Sequence, residues 1–274
     1  MASIVWVNGE LFDKLAATVS LLDHGVLFGD GVTTGFRLKH GEPVRLTEHL
    51  AHLEDTAARV RLKLPYDRAG LTAAVRTAVA ATGRTEGYVK IVVTRGAGML
   101  GVDPRKCEPC AAVIVDDLLP YPPELRAAGL SLAVARSVTR RAESLADRGF
   151  LLANAVAVLG MTDALAAGCL DALVLDDAGH VTGTTSGVVF AVKPGELLTP
   201  PENACPDPVA RAAVLALAPG FGWAVRDAAF APAELADADE AFFAGSGFGA
   251  VGITHVDGVP VRRGDAAARV DAAF

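Results

Sequence analysis

Basic charge is scarce in this chain of 274 residues, and lysine is scarcer still. Lys and Arg number 25 against 32 Asp and Glu, a formal net charge of −7 at pH 7 with His neutral. No run of five like charges occurs, so a phosphate backbone would be repelled and nucleic acid is not expected as a partner. Long apolar runs are also missing. The richest stretch, Phe150 to Leu170, is broken by Asn154, Thr162 and Asp163 and reads as a buried helix, with no membrane partner expected. The first residues run straight into a strand pattern with no basic region, so no signal peptide is expected and the cytoplasm is the default location. Only four cysteines occur. Cys107 and Cys110 have CxxC spacing, which suits a metal or redox pair. Neither Cys169 nor Cys205 belongs to a second such pair, so Cys107 and Cys110 read as loop cysteines and no metal site is expected. HExxH, GxSxG and Walker patterns are absent.

What is present is ordinary globular material, 51% hydrophobic and 21% charged. Ile4 to Val7, the Asn8-Gly9 turn and Leu11-Phe12 predict a hairpin. Val32 to Leu38 reads as a strand. Leu46, Leu50, Leu53, Ala57 and Val60 are spaced for a helix, and Asp67 to Ala81 predicts a second one. Tyr88 to Val93 and Ala111 to Val115 are strand-like. Asp116 to Pro123 holds three prolines and is the best linker. Beyond it, strands and helices mix without strict alternation, which predicts an α+β fold with two α/β subdomains, residues 1–118 and 119–274.

Several stretches, in order along nearly the whole chain, resemble the class IV aminotransferases. That family includes branched-chain and D-amino acid aminotransferases and aminodeoxychorismate lyase. The stretches are Asp23-His24-Gly25-Val26-Leu27-Phe28-Gly29-Asp30-Gly31, Leu46-Thr47-Glu48-His49-Leu50-Ala51-His52-Leu53 and Val93-Thr94-Arg95-Gly96. Ala172 to Thr182, Phe190 to Gly195, Leu198 to Pro201 and Ile253 to Gly258 follow. The resemblance implies the fold-type IV (D-amino acid aminotransferase-like) architecture, with the site at the interface of the subdomains, and a homodimer.

In that family a lysine binds pyridoxal phosphate (PLP) and shuttles protons, a glutamate faces the pyridine nitrogen, and an arginine holds the phosphate. Matched residue by residue, the lysine position falls at Phe150, or at Gly149 or Arg148 if the register shifts. No lysine lies between Lys106 and Lys193 in any register. Gly183 takes the glutamate position and His52 the arginine position, and Pro208-Val209-Ala210-Arg211 takes the place of the later phosphate turn. These replacements predict a chain that works without a cofactor, so that conventional transamination is not expected.

The residues left for the site are mixed. Tyr88 and Lys90, two apart on a strand, share one face. By resemblance that face points into the substrate pocket, where Lys90 would meet a carboxylate or serve as a displaced nucleophile. Arg95 matches an arginine that meets substrate in some relatives, or else forms a surface ion pair. Arg148 would offer a cation near the lost lysine. Thr184, Thr185, Ser186, Ser246 and His52 are further candidates for binding an anion. The sequence reading is therefore a PLP-independent lyase or isomerase acting on a small, chorismate-like carboxylate by elimination or rearrangement. Two alternatives are a non-catalytic binding or partner subunit, and a residual PLP-dependent aminotransferase or lyase.

Overall fold

The computed structural model describes residues 4–117, 121–141, 144 and 150–274. The chain divides into two compact units, one of residues 1–118 with 150–153, the other of residues 119–149 with 154–274.

In the first unit, β1 (Ile4–Val7) and β2 (Glu10–Asp13) form the hairpin that Asn8-Gly9 dictates, with both turn residues at positive φ. Then come α1 (His24–Phe28), β3 (Gly31–Lys39), β4 (Glu42–Pro43), α2 (Leu46–Arg59), α3 (Arg68–Thr82), β5 (Gly87–Ala97) and β6 (Glu108–Asp116). The strands make a 6-stranded sheet in the order β2-β1-β6-β5-β3-β4. Alternation along β3, β5 and β6 sends Val32, Phe36, Leu38, Val89, Ile91, Val93, Val113 and Val115 to one face. There they are buried with Leu50 and Leu53 of α2 and Leu71 and Val75 of α3. Each such side chain contributes roughly 1.5–3 kcal/mol by leaving water, which fixes the register of the central strands. The opposite face carries Thr33, Gly35, Arg37, Tyr88, Lys90, Val92, Ala112 and Ile114, all half-buried.

The second unit contains α4 (Pro123–Ala128), β7 (Leu130–Val134), α5 (Ala155–Ala166), β8 (Ala172–Leu175), β9 (Val181–Thr184), β10 (Val188–Lys193) and β11 (Glu196–Thr199). It continues with α6 (Pro208–Leu217), β12 (Ala224–Asp227), α7 (Ala233–Ala236), β13 (Glu240–Gly245), β14 (Gly249–Val256), β15 (Val259–Pro260) and α8 (Ala266–Ala273). Its 9-stranded sheet runs β12-β11-β10-β13-β14-β7-β8-β9, with β15 on β14.

The long helix expected from about Phe150 is shorter and less buried than its composition suggests. Phe150 has φ +78, outside the helical region, and its carbonyl accepts from Thr33 N at 2.7 Å. Leu152 N donates to Gly31 O at 3.0 Å, and Leu151 bridges Val32, so residues 150–153 extend the edge of the first unit's sheet. The helix starts only at Ala155. Within it Gly160 and Ala164 are buried, while Val158 and Leu165 are exposed. No helix among the described residues is long and apolar enough to cross a membrane.

Candidate active site

The face of the first sheet opposite its two packed helices carries Tyr88 and Lys90. Lys90 faces Gly35 on β3 and Ile114 on β6, neighbours that carry no charge. Its directly opposite cross-strand partners offer no carboxylate. Among the described residues none forms an ion pair or hydrogen bond with it. Burial lowers its pKa from the usual lysine value. Tyr88 lies across Gly35, where a Cβ would come within 1.8 Å of the phenol oxygen. A side chain at this position would have to displace the tyrosine ring.

The other lysines are placed differently. Lys14 pairs with Asp116 and Lys193 with Glu234, while Lys39, Lys63 and Lys106 are exposed.

Arg95 is tied down. Its Nε and Nη2 donate to the two oxygens of Asp30 at 2.5 and 2.9 Å. Nη2 also donates to Val60 O at 3.0 Å and Nη1 to Arg61 O at 2.9 Å. Four of its five N–H groups are thus engaged, which corrects its reading as a substrate ligand toward an internal clamp.

Phe150 meets two histidines of α2. Its ring is stacked on His49 at 5.8 Å and meets His52 edge-on at 5.9 Å. His49 is buried and shares a 2.7 Å hydrogen bond through Nδ1 with Thr34 Oγ1. Desolvation holds its pKa down to about 3, so it stays neutral. Arg148 lies outside the described residues.

In the second unit the hydroxyl-rich turn is occupied from within. Asp171, fully buried, accepts from Thr185 Oγ1 and Ser186 Oγ at 2.5 Å each, from Tyr121 Oη at 2.8 Å and from Thr185 N at 3.0 Å. Burial and the Asp171 charge push the Tyr121 phenol well above its ordinary range. Thr184 Oγ1 accepts from Ser186 N and Gly187 N at 3.2 and 3.0 Å. Ser246 donates through N and Oγ to Asp207 at 2.8 and 3.0 Å. Thr184, Thr185, Ser186 and Ser246, expected to receive an anion, therefore already serve the chain's own carboxylates and turns. At Gly183, φ is +145 and a Cβ would sit 2.7 Å from Gly187 O and 2.8 Å from Pro206 Cδ. No glutamate fits there without moving the backbone.

Cys110 lies in β6, not in a loop, while Cys107 precedes the strand with its Sγ 3.6 Å from His24 Nδ1. Both thiols are free, and no group of three metal-ligating side chains occurs among the described residues.

A sequence model of class IV aminotransferases matches residues 31–256, more than four-fifths of the chain. The chain belongs to the class IV aminotransferase family. It is 34% identical over 257 residues to a putative branched-chain-amino-acid aminotransferase of Methanocaldococcus jannaschii, covering 93% of this chain and 88% of the relative. Its fold matches that of a T.th. branched-chain amino acid aminotransferase with pyridoxamine 5′-phosphate at a TM-score of 0.89. The identity there is 24%, over 99% of this chain and 92% of that one. It also matches 4-amino-4-deoxychorismate lyase from Pseudomonas aeruginosa, with TM-score 0.84 and 29% identity over 98% and 97%. The fold-type IV architecture is thereby established.

These likenesses correct the expectation of a chain without a cofactor. The relatives are aminotransferases, and a structural neighbour holds pyridoxamine 5′-phosphate. Of the described lysines, Lys90 is half-buried and forms no ion pair among the described residues, and the positions matched to the lysine, glutamate and arginine hold Phe150, Gly183 and His52.

Proposed function

We propose that this chain is an enzyme that uses pyridoxal 5′-phosphate to move an amino group between a small amino acid and a 2-oxo acid. The observation that carries the reading is the half-buried Tyr88–Lys90 pair on one sheet face, where the directly opposite neighbours of the amine are uncharged. When bound, the group supplies an electron sink for carbanion chemistry. On the protein side, the Tyr88 phenol seated over Gly35 orients what binds there. Val92, Ala112 and Ile114 share the face with Lys90, and burial lowers its pKa, so its amine gives up a proton more readily than an exposed lysine.

A second reading, elimination from an aminodeoxychorismate-type acid, is favoured by the 29% identity to the lyase over nearly the whole of both chains. We place the enzyme in the cytoplasm, where its free cysteines would stay reduced. We also take it to be a homodimer that buries the exposed apolar side chains Leu22, Phe28, Met99 and Leu100 of the first unit. These form one region, because Gly98 N donates to Leu22 O at 3.1 Å and His24 Nε2 lies 2.9 Å from Met99 O.

The test is dialysis against pyridoxal phosphate, followed by absorption spectroscopy and assays with branched-chain L-amino acids, D-amino acids and 4-amino-4-deoxychorismate. Retained cofactor with amino-group transfer supports the first reading, and elimination alone supports the second. A colourless protein inactive in every assay would overturn both.

A further inference from the structure

The second unit holds a cavity of about 390 Å³ between α4, β13, β14 and α8, and none of the candidate active-site residues lines it. We propose that this cavity binds a small monocarboxylate with an apolar body, its carboxylate held by the Arg263 guanidinium. The proposal is independent of the coenzyme reading above, because it uses none of the same residues.

Small residues make the space. The lining side chains Ala241 of β13, Ala250 and Ile253 of β14 and Ala267 of α8 are buried and apolar. At Gly252 of β14, a Cβ would find nothing nearer than the Ala267 Cβ at 3.8 Å, so the gap between strand and helix is left unfilled. The rim residues Arg262, Arg263, Gly264 and Ala268 are exposed, which gives a ligand its way in. The volume falls within the range of small-molecule pockets, roughly 300–1,000 Å³, whose walls are mostly apolar with a few fixed polar groups.

Charge selects the ligand. Three arginines and two acids line the cavity. Both acids are committed to the chain. Buried Glu240 accepts from Ala266 N at 2.7 Å and Ala267 N at 2.8 Å, so the positive end of α8 offsets its charge. Asp271 Oδ1 accepts from Arg126 Nη2 at 2.8 Å and from Ala250 N at 3.1 Å. Arg262 pairs with Asp239 at 3.2 Å. Arg263 differs from the other two arginines. Its Nη2 donates to Ala127 O at 3.1 Å, and it forms no ion pair among the described residues. One carbonyl uses one of the five N–H groups of a guanidinium and leaves the rest for a ligand. A carboxylate matches that planar fork with two parallel bonds, while an apolar body would displace water from Ala241, Ala250 and Ile253. A bare phosphate would leave the apolar floor wet, and a cation would meet the unpaired charge of Arg263.

The experiment is isothermal titration of the full chain with 4-methylpentanoate, beside its neutral amide and inorganic phosphate. Arg263→Gln removes the charge and Ala268→Phe fills the mouth of the cavity. Both positions are exposed, so both variants should fold, which circular dichroism checks. We expect saturable binding of 4-methylpentanoate, weakened by roughly ten-fold or more in each variant. The amide and phosphate should bind more weakly than the carboxylate by a similar factor. No saturation by about 10 mM carboxylate would overturn the proposal. So would an amide that binds as well as the acid. Binding that Arg263→Gln or Ala268→Phe retains in full would put the ligand elsewhere in the chain and overturn it too.

Discussion

Two polar sites, one in each unit, are handled in opposite ways. In the second, the Thr185 and Ser186 hydroxyls converge on Asp171, and Ser246 spends both its donors on Asp207. In the first, the half-buried Lys90 amine has uncharged directly opposite partners and forms no ion pair among the described residues. A polar group already satisfied by the chain rigidifies it, whereas one left without a partner is available to a ligand. Hydroxyl content alone is therefore a poor guide to a binding site. What matters is whether an internal acceptor has claimed the donors first.

The largest effect bearing on this contrast is expected at the hub of the second unit. Asp171→Ala strands the Tyr121, Thr185 and Ser186 hydroxyls in a buried site. It should cost about 3–5 kcal/mol, the scale for breaking a buried charged network, measured by denaturant unfolding. A loss below about 1 kcal/mol would mean that the cluster is not what holds the turn.

Acid should act next, through the first unit. His49 has a folded pKa of about 3 against 6.5 when unfolded, so the unfolded chain binds the extra proton first as pH falls. The stability contributed by neutral His49 is intact above pH 6.5 and is lost as pH falls below it toward 3, by about 2 kcal/mol at pH 5. A His49→Gln chain should lack this part of the acid loss, and equal slopes in the two chains would refute the assignment.

Gly35→Ala should displace the Tyr88 phenol, raising the KM for the amino acid by about ten-fold, equivalent to about 1.4 kcal/mol, with a smaller change in melting temperature. An unchanged KM would show that the Tyr88 face does not meet substrate. The smallest effect is expected at Ser186→Ala, which removes one hydrogen bond to Asp171. It should lower stability by about 1 kcal/mol and leave ligand affinity unchanged. A selective loss of affinity would collapse the distinction between the two units.

Most of the fold was legible in the residues themselves. Period-2 alternation in β3, β5 and β6, the Asn8-Gly9 turn and the ordered family motifs predicted strands and helices that are found where expected. Positions whose state depends on distant partners were not legible. Arg95 is claimed by Asp30, 65 residues away in sequence, and Ser186 by Asp171, 15 residues away. Neither pairing has a local signature. The late start of α5 has the same origin, because Phe150 and Leu152 bond to β3 and no helix periodicity records that. Tyr88 and Lys90 were visible as a pair from strand spacing alone. That Gly35 and Ile114 flank the lysine followed only from the sheet register. From Gly183, His52 and Phe150 a chain without a cofactor was expected, and that expectation the aminotransferase relatives correct.

Competitive labelling probes the free amine on β5 with no ligand present. The folded chain is exposed to trace acylating reagent across a pH series, and each lysine's reactivity is read peptide by peptide. Lys90 is expected to titrate at lower pH than Lys39, Lys63 and Lys106 and to remain reachable by the reagent. A Lys90 that titrates with the exposed lysines, or is never labelled, would rule out its role as the reactive amine.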